Sequence, residues 1–559
     1  MFEGRLSPRS LRVSRACAAT LAACALMLPA QSPPGGVRTG PQLAAYPSDV
    51  DDSEQPYALY VPRSFAPGRK YPLVISLHEE ESNHRLSLRR IFGVVSRMGE
   101  PDTEDMRYFP PVADVDFLVA APFARGSMGY QGIAEKDVYD VLADVERRFP
   151  VDADRVYLTG ISMGGAGALR LALTRPDVWA AVAAVCPTPP PPGAGELAPN
   201  ALGLPIRIFH GELDPIVPVE SSRAWQRRFL DLGIPVDYIE YPGIRHNAWE
   251  PAYRNGAIFE WFAKFRRNSS PERVRFVTRS YLYDTAYWVR IDGLTPGVDG
   301  SIDASWTSKT VLKVETKGLD GFSVVGQGTG GPVNVTIDGA SMRTKPGALL
   351  SFTKASGQWQ PGRFAPVGKQ AGAEGPIVAA VSGRQIYVYG TLAASSEEVD
   401  ARRKEAEAAA RWSTPRSRLS VNLPVKADSA VTADDLDTAD LILFGASETN
   451  SLIARLRARL PLSLGAGAAD YGLLFVAPVG RHYVLVNSGL PWWTGAEEAD
   501  RGGDAFAPPQ YRLLSTFGDY VLFKGSLANV VAEGRFDRNW KVPADAAARM
   551  TATGTVTVR

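Results

Sequence analysis

The feature that most constrains the fold is an alternation of short apolar runs with longer amphipathic runs between about residues 45 and 268. Most of the apolar runs are nearly continuous, as expected of strands that are covered on both faces of a parallel sheet. A strand–helix repeat of this kind predicts one α/β domain, built on a mostly parallel sheet with right-handed crossovers. The predicted strands are YPLVISLH (71–78), DFLVAAPFA (116–124), RVYLTG (155–160), WAAVAAVC (179–186), LPIRIFHG (204–211) and VDYIEYPG (236–243), and the predicted helices are KDVYDVLADVERRF (136–149), GGAGALRLALT (164–174) and SSRAWQRRFLDLG (221–233).

Two further modules follow this domain. Runs rich in Val, Thr and Tyr alternate with turn residues and predict a β-rich module over residues 270 to about 368. Strand and helix patterns alternate again from about residue 375, and Ser395 is placed to cap the helix SSEEVDARRKEAEAAARW. They predict a smaller α/β module over residues 375–545. Its predicted strands are RQIYVYGT, ADLILFG, YGLLFVAP, HYVLVNSG and GDYVLFKG, and its second predicted helix is SLIARLRARL.

The first 30 residues have the pattern of a secretory signal peptide. Four arginines between residues 5 and 15 precede an apolar run over residues 16–30 that ends in small residues. A membrane span needs about 20 apolar residues, so we expect cleavage near Ala30 and a secreted or periplasmic protein without a membrane span. The stretch LAAC resembles a bacterial lipobox, which makes a lipid anchor at Cys24 an alternative. An uncleaved anchor is another.

Charge and cysteine content exclude several classes of partner. The 61 basic and 60 acidic residues leave a net charge of +1, so no global field would attract nucleic acid. Cys17 and Cys24 lie in the predicted signal, which leaves Cys186 as the single cysteine of the mature chain and allows no intramolecular disulfide. Cys186 is interpreted as a buried strand residue. With five histidines scattered along the chain, we predict neither a metal site nor a cofactor.

The stretch LTGISMGGA (158–166) places Ser162 between two glycines. A predicted strand ends just before this serine and a predicted helix begins just after it. Such a strand–turn–helix lifts a serine hydroxyl to the carboxyl edge of a sheet, and glycines are needed there because the backbone is strained and crowded. Ser162 is therefore predicted to be a nucleophile, with an inert loop serine as the alternative.

A serine nucleophile needs a base, and the base needs an acid that orients it. In this fold the three residues follow the chain order Ser, Asp, His, each in a loop after a strand. Asp214 follows the strand LPIRIFHG, and His246 follows the strand VDYIEYPG. We predict a triad of Ser162, Asp214 and His246. The alternatives are that Asp214 only caps a turn, or that Glu212 is the acid.

Five segments resemble secreted α/β-hydrolases of the esterase and prolyl-oligopeptidase-like type, which include feruloyl esterases and polyhydroxybutyrate depolymerases. They are PYALYVP, YPLVISLH, RVYLTGISMGGAGALRLA, HGELDPIVP and RHNAW, within residues 50–265. The resemblance implies that Ser162 attacks a carbonyl, that His246 transfers the proton and that Asp214 orients His246. It also implies that the backbone N–H of Met163 belongs to the oxyanion hole. The later modules look like the extra carboxyl-terminal region of large bacterial members.

The loop after the first predicted strand departs from this family. It reads LHEEESNH, so Glu79 and Glu81 stand where the family has glycines. The resemblance implies a second oxyanion N–H here, near Glu80, and a carboxylate pointing inward would oppose the oxyanion. Three interpretations stay open: a solvated acidic loop, a site at Glu79 for a cationic substrate group, or lost activity. Trp249 either lines the substrate pocket or packs on the sheet.

These observations favour a secreted serine carboxylesterase that acts on a small-molecule or polymer ester. One alternative is a serine peptidase of the prolyl-oligopeptidase type, which the family resemblance and the acidic loop suggest. A second is a non-catalytic binding protein that has kept the hydrolase scaffold.

Overall fold

The computed structural model describes residues 36–94, 112–189, 193–327, 331–414, 418–465, 467–503 and 505–559. The predicted signal segment, with Cys17 and Cys24, lies outside the described residues. Among the helices that are described, none combines the length and the apolar character that crossing a membrane requires.

An eight-stranded sheet forms the first part of the chain, with strand order β1-β2-β4-β3-β5-β6-β7-β8. The strands from β3 to β8 are parallel, and β1 and β2 form an antiparallel hairpin whose second strand pairs antiparallel with β4. The strands are β1 (Gly40–Pro47), β2 (Glu54–Val61), β3 (Tyr71–Leu77), β4 (Leu118–Pro122), β5 (Val151–Ile161), β6 (Ala181–Val185), β7 (Ile206–Gly211) and β8 (Asp237–Tyr241). The helices are α1 (His84–Ile91), α2 (Ile133–Arg148), α3 (Met163–Thr174), α4 (Glu220–Asp231), α5 (Trp249–Tyr253) and α6 (Ala257–Phe262), with 3-10 turns at Ala194–Ala201 and Arg254–Gly256.

The six predicted strands and three predicted helices of this region are confirmed. Every residue of β3, β4 and β6 is buried, because helices cover the sheet on both faces, and this is why these runs are apolar throughout. The hairpin of β1 and β2 was not among the predicted strands. Most residues of β1 are only partly buried, so its sequence has no continuous apolar run.

The predicted β-rich module consists of two five-stranded sheets that share one apolar core. One sheet has the order β10-β11-β14-β17-β18 and the other has the order β16-β15-β13-β12-β9. The strands are β9 (Arg273–Thr278), β10 (Thr285–Ala286), β11 (Val289–Leu294), β12 (Gly300–Ser308), β13 (Val311–Lys317), β14 (Leu319–Val325), β15 (Val333–Ile337), β16 (Ala340–Thr344), β17 (Leu349–Ala355) and β18 (Gln358–Pro361), with a 3-10 turn at Tyr281–Tyr283.

The third part is a seven-stranded α/β sheet, as predicted, with the order β20-β19-β21-β24-β23-β25-β26. Ser395 caps its long helix with a capping box, which confirms the predicted start. The structure continues past residue 545, the predicted end of this module: the last helix runs to Ala552, and the last strand, β27, pairs with β22. The strands are β19 (Gln385–Tyr389), β20 (Val425–Ala427), β21 (Asp440–Phe444), β22 (Leu462–Leu464), β23 (Tyr471–Val479), β24 (His482–Gly489), β25 (Tyr520–Lys524), β26 (Ser526–Gly534) and β27 (Val556–Val558). The helices are α7 (Ser396–Ala410), α8 (Ala433–Thr438), α9 (Ser451–Leu456), α10 (Ala496–Ala499), α11 (Pro509–Leu514) and α12 (Ala544–Ala552), with 3-10 turns at Ile377–Val381, Asp428–Ala430 and Arg457–Arg459.

The third sheet packs directly against the first. Tyr511 of α11 lies against Gly132, where an added Cβ would come within 2.7 Å of the tyrosine oxygen. The segment of residues 418–422 also crosses the first sheet: the N–H of Ser420 donates to Arg125 O at 3.0 Å, and the Arg125 guanidinium donates to Ser420 O at 3.1 Å. Buried residues of the two sheets therefore form one continuous apolar cluster.

Candidate active site

Ser162 lies at the sharp turn between β5 and α3. Its backbone has φ 55° and ψ −115°, in the left-handed half of conformational space that non-glycine residues rarely adopt. The Ser162 N–H donates to Val185 O at the end of β6, at 2.8 Å, which fixes the turn against the neighbouring strand. Helix α3 then begins at Met163, so the positive end of the helix faces the serine.

Glycines allow this turn to pack closely. A Cβ at Gly160 would lie 2.2 Å from Gly164 O, and a Cβ at Gly164 would lie 2.4 Å from Leu77 O at the end of β3. Neither position accepts a side chain without movement of the backbone. The first turn of α3 is therefore in direct contact with the end of β3. His78, Glu79 and Glu80 follow that end in the chain.

Asp214 and His246 meet at the same edge of the sheet, in the loops after β7 and β8. Asp214 Oδ2 accepts a hydrogen bond from His246 Nδ1 at 2.7 Å. Asp214 Oδ1 accepts the N–H groups of Ile216 and Val217, both at 2.9 Å. The aspartate side chain is fully buried, whereas the imidazole is 18 % exposed. This arrangement leaves His246 Nε2 for proton transfer.

Burial alone would raise the pKa of Asp214. The hydrogen bonds from His246 and from the two backbone N–H groups outweigh burial, and the pKa lies below its ordinary value. Asp214 is therefore a carboxylate at neutral pH, as an acid that orients an imidazole must be. Glu212, the alternative acid, is exposed and accepts the N–H of Gly243 at 3.0 Å.

His210 is a second histidine at this carboxylate. Its Nε2 lies 3.2 Å from Asp214 Oδ2 and 3.0 Å from Val217 O, and its Nδ1 lies 2.6 Å from Ser222 Oγ. The ring is fully buried, and burial lowers its pKa. A histidine at the end of a strand ordinarily makes a structural hydrogen bond, which is the role expected for His210, but the sequence does not indicate which groups its ring contacts.

Cys186 lies closer to the triad positions than its sequence suggests. Its Sγ, a carboxylate oxygen of Asp214 and a ring nitrogen of His246 lie within 4.8 Å of one another, and Sγ also donates to His246 O at 3.5 Å. Burial raises the pKa of this thiol to about 12, so the sulfur stays protonated. A neutral thiol is a poor metal ligand, and the Asp214–His246 hydrogen bond already uses the other two groups. The set does not fit a metal site.

The acidic loop after β3 is organised by ion pairing and hydrogen bonds. Glu79 forms an ion pair with Arg90 of α1, and the side chains of both residues are 14 % exposed. Glu80 is half-buried. Glu81 is exposed with φ 58°, and its N–H donates to Ser127 Oγ at 3.0 Å. Glu79 is thus already paired with a cation of the protein.

Trp249 connects this ion pair to His246. The Arg90 guanidinium carbon lies 4.8 Å from the centre of the Trp249 ring, and the Trp249 and His246 ring centres lie 5.9 Å apart at an interplanar angle of 85°. Trp249 is therefore a neighbour of the imidazole and also packs against the apolar cluster on that side of the sheet. Sequence reasoning did not identify Arg90, since nothing in α1 marks a contact with α5.

A family model matches part of the first sheet. The Phospholipase/Carboxylesterase model matches residues 133–255, a range that contains Ser162, Asp214 and His246. Together with the sheet order and the turn at Ser162, this match decides the fold of the first part of the chain. It is the α/β-hydrolase fold.

The hydrolase region is similar to curated enzymes over part of its length. NocK of Nocardia uniformis subsp. tsuyamanensis, which carries a provisional esterase name, is 36 % identical over 121 residues, or 22 % of this chain and 28 % of NocK. Cutinase 1 of Thermobifida cellulosilytica is 34 % identical over 101 residues, or 18 % of this chain and 36 % of the cutinase. The chain spans about a third of the length of these relatives.

Solved structures similar to the hydrolase region include two esterases. A thermostable esterase is 25 % identical with a TM-score of 0.33, and the match covers 41 % of this chain and 63 % of the esterase. A ferulic acid esterase of Anaeromyces mucronatus is 17 % identical with a TM-score of 0.31, and the match covers 41 % of this chain and 95 % of the esterase.

Proposed function

We propose that this protein is a serine esterase that cleaves a carboxylic ester by acyl transfer. The observation that carries the proposal is the 2.7 Å hydrogen bond between Asp214 and His246, at the sheet edge where Ser162 holds a left-handed backbone. A buried carboxylate on one ring nitrogen fixes the tautomer that leaves the other nitrogen free to take a proton. The esterase and cutinase names of the relatives support the same class of reaction.

The reaction begins when Ser162 Oγ attacks the carbonyl carbon of the ester and His246 Nε2 takes the hydroxyl proton. Asp214 stabilises the resulting imidazolium. The N–H groups of Met163 and Glu80 donate hydrogen bonds to the carbonyl oxygen and stabilise its negative charge. The C–O bond to the alcohol then breaks, and the alcohol leaves with the proton from His246.

The acyl-enzyme is hydrolysed by the same groups in reverse order. His246 removes a proton from water, the water oxygen attacks the acyl carbon, and the Ser162 oxygen leaves with the proton that the imidazole returns. The products are one carboxylic acid and one alcohol. The reaction needs neither a metal nor an organic cofactor.

The surface beside the acid supports an ester with an apolar group. Leu213 is 58 % exposed and Ile216 is 68 % exposed, and they flank Asp214 in the chain. An exposed pair of large apolar side chains at this position would contact an apolar acyl group or an apolar polymer. We assign the substrate to this chemical class.

The amine-anchoring version of the peptidase alternative has lost support, because it needs a free carboxylate at Glu79 to hold a substrate amino group and Glu79 is paired with Arg90. The non-catalytic alternative rested on the loss of glycines at positions 79 and 81, and the same ion pair offsets the charge of Glu79. An acyl-transfer enzyme is the function that these contacts favour.

We also propose that the protein is exported, on the pattern of its first 30 residues, and that the hydrolase domain spans residues 45–268. We propose that residues 270–368 and residues 375–545 form two further modules that fold onto the hydrolase domain.

The test is labelling of the purified protein with a fluorophosphonate, with hydrolysis of p-nitrophenyl acetate and butyrate measured in parallel. We expect stoichiometric labelling at Ser162. Ser162→Ala should lose the label and lower kcat by at least about 10³-fold, because the nucleophile is gone. Ser270→Ala, at an exposed serine away from the site, is the control and should behave as the wild type. Folded protein that neither labels nor hydrolyses either ester would contradict the proposal.

A further inference from the structure

Glu79 lies where the family resemblance implies a glycine, and it forms an ion pair with Arg90 of helix α1. Both side chains are only 14 % exposed, so water screens them weakly. A lone carboxylate at this position would repel the negative charge that develops on the substrate carbonyl. The positive charge of Arg90 therefore offsets the negative charge of Glu79, a residue that the oxyanion hole does not ordinarily contain.

The position of Arg90 is set by the cap of helix α1 and by two contacts of the guanidinium. Asn83 caps helix α1 by accepting the N–H groups of Arg85 at 2.9 Å and Leu86 at 3.2 Å. At the other end of α1, the Arg90 guanidinium lies between the Glu79 carboxylate and the face of the Trp249 ring. A planar guanidinium suits both contacts, because it pairs with a carboxylate and stacks on an aromatic ring.

The contact continues to the proposed base. The Trp249 ring meets the His246 ring at 85° with 5.9 Å between their centres. His246 is also in contact with Asp214, which binds Nδ1, and with Cys186, whose thiol contacts the His246 carbonyl. Beyond Asp214 lies the buried imidazole of His210.

We propose that Arg90 is a positioning residue of this esterase site: it neutralises Glu79 beside the oxyanion hole and holds Trp249 against His246. The inference rests on the proposed function. Arg90 thus offsets the charge of Glu79, one of the two glutamates at positions where the family resemblance implies glycines. The effect of Arg90 reaches the reaction through the charge of Glu79 and the position of Trp249.

Two single variants should have opposite effects on the acid limb of the kcat/KM profile. Arg90→Met leaves the Glu79 carboxylate uncompensated, which stabilises a protonated imidazole and moves the acid limb to higher pH. Glu79→Gln removes this carboxylate while the Arg90 cation stays, which disfavours a protonated imidazole and moves the limb to lower pH. A purely structural role for the pair would produce no such opposition of sign.

The experiment is a double-mutant cycle of Arg90→Met, Glu79→Gln and the combined variant. For each, kcat and KM for p-nitrophenyl butyrate are measured from pH 5 to 9, together with the melting temperature. We expect Arg90→Met to lower kcat about tenfold with a smaller change in KM, since the added repulsion acts on the transition state. The combined variant should recover most of that loss. Arg85→Met, on the first turn of the same helix, is the control and should keep the wild-type kcat.

The outcomes separate the two proposals. Wild-type protein that neither labels at Ser162 nor hydrolyses esters would overturn the esterase assignment itself. An active wild type with an Arg90→Met variant of unchanged kcat, or a combined variant no better than Arg90→Met, would overturn the role of Arg90 alone. If Arg90→Met does not fold, Glu79→Gln decides: an acid limb that does not move to lower pH would overturn the proposal.

Discussion

The carboxylate of Asp214 is in contact with groups on both of its oxygens. Oδ1 accepts two backbone N–H groups, and Oδ2 accepts His246 Nδ1 and lies 3.2 Å from His210 Nε2. Three hydrogen bonds and a neighbouring imidazole around one carboxylate fix its position.

Asp214→Asn removes the negative charge of this side chain and keeps its shape. The amide oxygen can still accept the N–H groups of Ile216 and Val217, so the loop should keep its form. The amide NH₂ cannot accept the proton of His246 Nδ1, which leaves the imidazole in the wrong tautomer. We expect kcat for p-nitrophenyl butyrate to fall by about 10⁴-fold with little change in KM or in melting temperature.

Glu212→Gln is the matched control, because this carboxylate is a near neighbour in sequence and was the alternative acid. Its variant should retain wild-type kcat. A larger loss in Glu212→Gln than in Asp214→Asn would assign the acid to Glu212 instead.

Among single residues, the sequence identifies the candidate functional residues that directly follow a predicted strand. Ser162, Asp214 and His246 each follow an apolar run, and their chain order narrows the choice. Arg90 carries no such mark. Arg90 reaches the site from a helix that is distant in sequence from Trp249, and the contact depends on how α1 and α5 pack, which no local pattern encodes.

Among the elements, helix α7 carries a glutamate in an unfavourable place. Burial raises the pKa of Glu405 to about 7. Below about pH 4.5 the carboxyl is protonated in the folded and the unfolded chain. Between that pH and about 7 the unfolded chain ionises while the folded protein keeps its proton, so Glu405 lowers the free energy of unfolding as the pH rises through this window.

Glu405→Gln should remove this pH dependence, because the amide resembles the neutral acid. At pH 8 we expect the variant to be more stable than the wild type by roughly 1–3 kcal/mol, and at pH 4.5 to be nearly equal to it. Urea unfolding at the two pH values measures the difference. Glu397→Gln, on the exposed first turn of α7, is the control. A difference between variant and wild type that is the same at both pH values would contradict the prediction.

Element prediction succeeds where burial is uniform along the element. The fully buried strands β3, β4 and β6 are recognised from continuous apolar runs, and α7 from its cap. The partly exposed β1 has no such run. Strand pairing in the β-sandwich is also beyond the local pattern: β13 pairs parallel with β15, whereas β14, which lies between them in sequence, belongs to the other sheet.

For the whole molecule, the main finding is that the hydrolase and the third sheet share a core. Arg125 lies fully buried at their contact, where it donates to Asp51 Oδ2 and Asp137 Oδ2, both at 2.8 Å, and to Ser420 O. Asn422 N–H donates to the same Asp51 at 2.9 Å. The change of sequence texture near residue 375 predicts a separate module, but not this contact, because the apolar residues that make it resemble those of any core.

A chain that ends at residue 268 should therefore be unstable. Removing the later residues takes away the contact of Tyr511 with Gly132 and leaves the Arg125 cluster without Ser420 and Asn422. We expect the shortened hydrolase to aggregate, or to unfold without a cooperative transition, under conditions in which the full chain melts cooperatively. Calorimetry and light scattering on the two proteins check this. A shortened protein with the melting temperature and the esterase activity of the full chain would contradict it.

The shared core also sets the timing of folding during synthesis. Ser162, Asp214 and His246 lie in the first half of the chain and emerge early. Domains generally fold in the order in which they emerge. Here the segment of residues 418–422 and Tyr511 emerge late, and until then part of the first sheet's packing surface has no partner. Maturation of the enzyme consequently waits for the last third of the polypeptide, and a nascent chain stalled before that point would be a client for chaperones rather than an active hydrolase.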